Sequence, residues 1–345
     1  MALKGAIIRA GLAGSDLIRA HAWARFARGR GVILTFHHVR PAPSEGFAPN
    51  RLLEITPDFL ETVLETLDAL GFEIVPLDAV PDRLAGPEPE RPFAVLTFDD
   101  GYRDNRDFAA PILARRGAPW TLFVTRDFAE GRGRFWWREL EEAVRRAPRV
   151  RFAELDLPAG TDREKERAFE ALYWRLRAGP EHALREATRR LAEAAGVDVA
   201  GAARDACLTF PELRDLARDP AVTLGAHTLS HPMLAKGDEA TARREIVESR
   251  AALEAEIGAP VRHFAYPVGD PGSAGQREFA LAREAGFVTA VTTRPGHLFA
   301  AHAARLHALP RVSVNGLYQS AGALRALLSG LPFLVWNKGR RVASG

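Results

Sequence analysis

Short apolar runs alternate with amphipathic segments along the chain from residue 31 onward. The apolar runs are rich in β-branched and aromatic residues, and they predict buried strands at residues 32–36, 93–98, 120–124, 222–225, 263–266, 288–291 and 312–314. Between them, apolar positions recur at helical spacing and predict helices at residues 57–70, 104–116, 239–257 and 277–285. Strands that alternate with helices form parallel βαβ units. The pattern therefore predicts an α/β fold, and its seven strands favour a closed β/α barrel over an open sheet.

Residues 131–207 interrupt this alternation. The segment contains no predicted strand, and Pro and Gly separate its long, charged helical patterns at residues 138–146, 162–177 and 181–195. We expect it to be a helical insertion between two barrel units that covers one face of the barrel.

The N-terminal segment differs in charge from the rest of the chain. Residues 1–30 hold six Lys or Arg against one Asp, a charge of +5, and predict a basic amphipathic helix. Because the net charge is +3, the remainder is slightly acidic, which argues against a nucleic-acid-binding protein. Residues 31–330 are expected to form the barrel domain, and residues 331–345 a C-terminal tail. The single cysteine, Cys207, excludes an intrachain disulfide.

The N-terminal helix has two interpretations. Charged residues interrupt its apolar positions, so no stretch is long enough for a signal peptide or a transmembrane helix, and a cytoplasmic protein is expected. A basic amphipathic helix can lie on an anionic membrane surface, which would make the protein membrane-peripheral. Packing of the helix on its own domain is the alternative, and we favour it. The sequence does not indicate an oligomeric state.

The strongest chemical signal is a strand that ends in two adjacent acids. Residues 96–102 read Leu-Thr-Phe-Asp-Asp-Gly-Tyr, so Asp99 and Asp100 follow a predicted strand. The carboxyl ends of the strands form the catalytic face of a β/α barrel. Adjacent carboxylates repel each other, so we expect one acid to bind a metal and the other to act as a general base. An ordinary pair of acids at a helix N-terminus is the alternative.

Another predicted strand ends in two histidines four residues apart. His227 and His231 follow the strand at 222–225, and a helical turn there would place both imidazoles on one side. Two histidines, one carboxylate and an open position describe a catalytic zinc site, and the same ligands suit cobalt or another divalent ion. Each histidine taken alone is more often a core or capping residue.

Two further strand ends carry groups of interest. The strand at 263–266 runs into a Pro and Gly turn, and backbone N–H groups near Tyr266, Pro267 and Val268 are positioned to face a developing oxyanion. The first predicted strand ends in His37 and His38, and a histidine at this position is suited to be a general acid.

Together these motifs resemble the polysaccharide deacetylase family, also called NodB-homology domains or carbohydrate esterase family four. The resemblance extends over about residues 31–315 without the insertion, and it rests on Thr-Phe-Asp-Asp-Gly at 97–101, His-Thr-Leu-Ser-His at 227–231 and Phe-Ala-Tyr-Pro-Val-Gly at 264–269. It implies a distorted (β/α)7 barrel and a metal-dependent enzyme that removes N-acetyl groups from a carbohydrate and releases acetate.

The resemblance also implies a role for each residue. Asp100, His227 and His231 match the metal ligands, with zinc as the expected ion, and Asp99 matches the base that deprotonates a metal-activated water. The oxyanion would contact the metal and a turn N–H near Val268, and a protonated histidine would donate to the departing amine.

Two departures from the family pattern change these assignments. Many members have an arginine that pairs with the base at the position of Ala265, so we expect Arg311 to replace it, with Arg262 as a weaker alternative. Many members also take their acid from a C-terminal Leu-x-x-His, which has no clear match here. Some bacterial deacetylases of surface polysaccharide have an aromatic residue followed by histidine in the first strand, so we assign His37 as the acid and His38 as the alternative.

The leading expectation is N-deacetylation of an N-acetylglucosamine-type oligo- or polysaccharide or of a glycolipid precursor. The same site would suit an O-acetyl ester or another amide, and a catalytically weak carbohydrate-binding protein is an alternative from a different class. The insertion carries aromatic residues that either stack on sugar rings or, as is more common at helical spacing, pack in a core. They are Trp136, Trp137, Tyr173 and Trp174.

Overall fold

The computed structural model describes residues 26–41, 46–199 and 201–342. The strands of this part of the chain, numbered in chain order, are β1 (Gly31–Phe36), β2 (His38–Val39), β3 (Glu54–Ile55), β4 (Glu73–Ile74), β5 (Phe93–Phe98), β6 (Trp120–Val124), β7 (Arg149–Phe152), β8 (Leu155–Pro158), β9 (Val222–Ala226), β10 (His263–Ala265), β11 (Thr289–Pro295) and β12 (Leu309–Ser313).

Seven of these strands close into a parallel barrel, which confirms the predicted (β/α)7 fold. The order around the barrel is β1, β12, β11, β10, β9, β6 and β5, and pairing of β1 with β5 along six residues closes it. Strand β4 extends the sheet beyond β5, while β2 with β3 and β7 with β8 form separate two-stranded sheets.

The barrel strands are apolar on both faces because both faces are covered. A small apolar cluster fills the barrel interior, and its strand residues are Ile33, Phe93, Val95, Phe123, Ala265, Val291 and Leu309. The other face of the strands packs against the surrounding helices in the largest core, which includes Leu34, Leu96 and Val312. Side chains alternate along a strand, so residues 35 and 37 follow Ile33 on the inner face, and residues 97 and 99 follow Val95.

The helices of the described part of the chain are α1 (Pro57–Ala69), α2 (Val80–Ala85), α3 (Ala110–Arg115), α4 (Arg126–Ala129), α5 (Trp136–Arg146), α6 (Asp162–Ala178), α7 (Glu181–Ala194), α8 (Ala202–Ala206), α9 (Phe210–Leu216), α10 (Glu239–Ile257), α11 (Gln276–Glu284), α12 (Ala321–Leu328) and α13 (Leu331–Trp336). A π-helical turn, Asn105–Ala109, precedes α3. Local signals set several ends: the Thr56 and Asp238 side chains cap α1 and α10, and Gly258 ends α10 at a φ of 69°.

The last two barrel strands depart from the predicted bounds. Strand β11 runs on to Pro295, and β12 begins at Leu309 rather than residue 312. The β11–β12 register shifts between Val291 and Pro295, and this irregularity accommodates the prolines, which cannot donate to a regular ladder. A prediction that treats proline as a strand boundary misses these residues.

The segment between β6 and β9 contains helices α5, α6 and α7, which pack around an apolar core of their own that includes Leu140, Leu172 and Leu184. The expectation that this segment lacks strands is wrong, because β7 and β8 form an antiparallel hairpin with its turn at Ala153, where φ is 49°. Each of these strands has only four residues, too few for alternation to be recognised among the charged side chains.

The sequence predicts a helix at the N-terminal end of the chain and a tail at the C-terminal end. The predicted N-terminal helix lies largely outside the described residues, and with it the expected membrane contact. At the other end, Leu331–Trp336 is helical within the segment predicted as a tail. Within residues 26–41, 46–199 and 201–342, no helix has the length and apolar character needed to cross a membrane.

Candidate active site

Strands β5 and β9 bring the predicted metal ligands together at the carboxyl end of the barrel. Asp100 follows β5, and the loop after β9 carries His227 and His231. The Asp100 Oδ1 atom lies 3.4 Å from His227 Nε2 and 3.2 Å from His231 Nε2. All three side chains are buried, and one ligand atom from each lies within 4.8 Å of the others. The structure therefore assembles a compact set of two imidazoles and one carboxylate.

The hydrogen bonding of these groups fits a bound cation. His227 Nδ1 lies 2.7 Å from the carbonyl oxygen of Ala265 and must donate to it, so the Nε2 of neutral His227 presents a lone pair to Asp100. The buried Asp100 Oδ1 has no hydrogen-bond partner among the described residues. Acceptors that face one another without water need a positive charge between them. A divalent ion such as zinc suits this donor set.

Asp99 lies beside this group and forms a bidentate ion pair with Arg311. Arg311 Nη1 and Nη2 donate to the two carboxylate oxygens at 2.7 and 2.6 Å, and both side chains are almost fully buried. Burial alone would raise the pKa of Asp99, but the charge and hydrogen bonds of Arg311 outweigh it and hold the pKa below its ordinary value. Arg311 also donates to Thr97 Oγ1 and to the Thr292 carbonyl, which fix its position.

The structure distinguishes the two predicted partners of Asp99. Arg311 of β12 reaches Asp99 across the barrel interior, whereas Arg262 lies at the opposite end of β10 and pairs with Asp78 at 3.1 Å. The weaker alternative, Arg262, is therefore wrong as a partner of Asp99.

The two histidines after β1 have different surroundings. His37 Nε2 lies 3.9 Å from Asp99 Oδ2, and burial lowers the pKa of His37. His38 instead bonds to Asp104 through Nδ1 at 2.6 Å and stacks on the Tyr102 ring at a centroid distance of 3.6 Å. Of the two, the structure places only His37 at the Asp99 carboxylate.

The three predicted turn residues are not equivalent. The Tyr266 side chain is buried away from the site, where its hydroxyl donates to the His307 carbonyl at 2.9 Å. The Tyr266 N–H donates to the Val291 carbonyl, and Pro267 has no N–H, so neither can offer a backbone donor to a ligand. Val268 lines the cavity, and of the three residues it is the one that can offer a backbone N–H to a ligand.

The chain is similar in sequence to a known protein family. The model of the polysaccharide deacetylase family matches residues 86–151 and 180–290, just over half of the 345-residue chain. The chain belongs to the polysaccharide deacetylase family. The matched residues include Asp99, Asp100, His227 and His231, and the unmatched stretch, residues 152–179, includes the whole of α6. No curated protein sequence matches the chain significantly.

Solved structures share the fold of this deacetylase-family chain. The deacetylase PplD of Streptococcus pyogenes, solved with acetate, is 17% identical with a TM-score of 0.57, over 86% of this chain and 97% of that one. IcaB from Ammonifex degensii is 18% identical with a TM-score of 0.54, over 88% and 98%. A de-N-acetylase from Aggregatibacter actinomycetemcomitans is 13% identical with a TM-score of 0.53, over 86% and 98%. Such distant likeness shows the fold.

Unfavourable backbone conformations concentrate at this site. Four of the six non-glycine residues with positive φ in the described part of the chain lie there: Asp100 (75°), Thr228 (66°), His231 (59°) and Val268 (60°). A positive φ is most costly for a β-branched residue such as Val268. Strain of this kind persists where the surrounding structure holds it, and it is typical of functional sites.

Two residues that the sequence did not point to hold the loop carrying His231. The buried Glu245 carboxylate of α10 accepts hydrogen bonds from the N–H groups of Leu229 and Ser230, each at 2.9 Å. From the insertion, Arg185 of α7 donates to the carbonyl of His231 at 2.7 Å. Neither residue lies in a recognisable motif, because each meets the loop only through the tertiary fold.

A cavity of about 360 Å³ opens over this site. Its floor includes His37, Asp99, Asp100, His227 and His231, and its wall is formed partly by the insertion, which therefore covers the catalytic face. All four aromatic residues singled out in the insertion line this cavity. They also pack on one another, as shown by ring centroid distances of 5.5 Å for Trp136 and Tyr173 and 5.1 Å for Tyr173 and Trp174.

Proposed function

We propose that the protein is a metal-dependent hydrolase that removes N-acetyl groups from a carbohydrate and releases acetate. The observation that carries this proposal is the buried Asp99–Arg311 pair beside the cluster of Asp100, His227 and His231 in one cavity. Membership of the polysaccharide deacetylase family supports a carbohydrate substrate. The structurally similar Aggregatibacter protein is a de-N-acetylase, which supports a nitrogen-linked acyl group.

The cluster of Asp100, His227 and His231 would hold the cation. When bound there, a divalent ion supplies Lewis acidity, which polarises an acyl carbonyl and lowers the pKa of a water molecule. The His227 Nδ1 donation to the Ala265 carbonyl fixes the tautomer that presents Nε2 as a ligand.

Asp99 would act as the general base. Because Arg311 keeps its pKa low, Asp99 is ionised at neutral pH and ready to take the proton of the attacking water. Arg311 also fixes the orientation of both carboxylate oxygens. The Val268 N–H would donate to the oxygen that becomes negatively charged in the tetrahedral intermediate.

His37 would act as the general acid. Its lowered pKa means that protonated His37 gives up its proton readily to the nitrogen of the departing amine. When the tetrahedral intermediate collapses, its C=O bond re-forms and the C–N bond breaks, which yields a free amino sugar and acetic acid that ionises to acetate. Asp99 then loses its proton to solvent, and His37 takes one up.

Acetate release tests this proposal. Chelator-treated protein should release no acetate from N-acetylated oligosaccharides, peptidoglycan fragments or lipid-linked sugars, and zinc or cobalt should restore release. The variant Asp99→Asn should be inactive yet still bind one equivalent of metal. Acetate release from O-acetyl esters alone would identify an esterase instead. Full activity of chelator-treated protein would refute the metal requirement, and binding of sugars without any acetate release would favour the carbohydrate-binding alternative.

A further inference from the structure

The cavity over the site has two parts with different chemistry. Its floor consists of the charged and imidazole side chains at the ends of the barrel strands. Its wall comes from the segment before β3 and from helices α5 and α6, and the apolar residues that line it are Pro49, Leu52, Leu53, Trp136, Trp137, Phe169, Tyr173 and Trp174. Helix α6 belongs to residues 152–179, so part of this wall lies outside the residues that the family model matches.

Two polar side chains of the wall, Asn50 and Tyr173, make hydrogen bonds within the protein. Asn50 Nδ2 donates to the Trp137 carbonyl at 3.0 Å and to a carboxylate oxygen of Glu141 at 2.7 Å. The Tyr173 hydroxyl accepts from Arg177 at 3.2 Å. Glu170 adds a carboxylate. A sugar ring carries several hydroxyl groups, and a buried hydroxyl without a partner is costly. The wall therefore matches hydrocarbon better than a succession of sugar rings.

The apolar wall continues to the protein surface. Trp174 is 54% exposed and Leu52 is 37% exposed at the cavity mouth. The Gly316 N–H donates to the Leu52 carbonyl, and the 50% exposed Leu317 follows Gly316 in the chain. Exposed apolar residues that adjoin a cleft are typical of a binding surface.

We propose that the substrate is amphiphilic: an N-acetylated sugar lies on the polar floor, and a hydrocarbon aglycone extends along the apolar wall and out over Trp174 and Leu52. This inference rests on the proposed function, because the floor must hold the acetamide. A cavity of about 360 Å³ is at the small end for ligand pockets, so a long chain continues over the exposed rim.

Alkyl glycosides of N-acetylglucosamine test the inference directly. In a series from methyl to octyl, each kept below its critical micelle concentration, kcat/KM of the zinc-loaded protein should rise about two- to fourfold per methylene until the chain leaves the wall. In Trp174→Ala, kcat/KM should increase less with alkyl length, as measured by the ratio of kcat/KM for the octyl glycoside to that for the methyl glycoside. Trp336→Ala is the matched control, because this tryptophan is similarly exposed at 57% but lies on α13, outside the cavity.

The outcomes separate this inference from the function on which it rests. A kcat/KM that is independent of alkyl length but rises with the number of sugars in N-acetylated oligosaccharides would overturn it and make the wall a sugar platform. Absence of acetate from every substrate would instead refute the proposed function. In that case the affinities of Asp99→Asn for the octyl and methyl glycosides, measured by calorimetry, would still test whether the wall binds hydrocarbon. Equal affinities would contradict this role of the wall.

Discussion

Removing Arg311 would leave the Asp99 carboxylate buried without its counter-charge. Arg311 is 1% exposed, Asp99 is 2% exposed, and the pair makes two short hydrogen bonds. Loss of one partner from a buried ion pair costs about 3–5 kcal/mol. Arg311→Met retains much of the side-chain volume, so we expect the free energy of unfolding to fall by about this amount at pH 7. A domain is typically stable by about 5–15 kcal/mol, so the variant should fold but be less stable.

The pH dependence of this loss has a defined sign. In the native protein the pKa of Asp99 lies below its ordinary value of 3.8, so the pair stabilises the fold above that pH and less as the pH falls through the native pKa. Without Arg311, burial dominates and raises the pKa of Asp99. The difference in stability between native protein and Arg311→Met should therefore shrink as the pH is lowered from 7 towards 4.

Urea denaturation of the metal-free proteins measures both the loss of stability in Arg311→Met and its dependence on pH. Addition of Asp99→Asn to Arg311→Met removes the isolated charge, so the double variant should be more stable than Arg311→Met alone at pH 7. Equal stability of the two would show that lost packing, rather than an unpaired charge, causes the effect, and our reasoning would be refuted. In acetate release, Arg311→Met should be about 10²- to 10⁴-fold slower at neutral pH, because its base is no longer held and oriented by the two hydrogen bonds of Arg311.

Three further predictions concern the other groups of the site. His37→Ala should lower kcat for acetate release about 10²-fold or more, whereas His38→Ala should remain folded and active. A large loss of kcat in His38→Ala but not in His37→Ala would assign the acid role to His38. Zinc should raise the melting temperature of the native protein but not of His231→Ala, as measured by scanning calorimetry, and an equal rise in both would place the ion elsewhere. Arg185→Met should weaken zinc affinity about 10- to 100-fold in a competition titration with a chromophoric chelator, and an unchanged affinity would show that the loop needs no support from α7.

The sequence was informative wherever a local pattern decides the structure. Apolar runs identified the barrel strands, and their carboxyl ends must meet on one face, so Asp100, His227 and His231 could be brought together without coordinates. Arg311 was expected near Asp99 only because the arginine of the family pattern is missing at Ala265, and the structure brings the two side chains together.

Other features depend on contacts between distant parts of the chain. The β11–β12 register shift, the hairpin of β7 and β8, and the positive φ of Val268 leave no local pattern that separates them from ordinary loops. Glu245 and Arg185 resemble any charged helical residue until the fold brings them to the loop of His231. The apolar wall of the cavity likewise combines side chains far apart in sequence, so its composition emerged only from the structure.

The hydrogen bond from Arg185 to the His231 carbonyl has a consequence for chimeric proteins. One such chimera would carry the segment between β6 and β9 from another family member. Its purpose would be to change substrate preference while the barrel stays the same. A graft that lacks an arginine at this point would lose one of the contacts that hold the loop, so it would alter the catalytic centre as well as the recognition surface. The unit to exchange is therefore the segment together with the loop after β9.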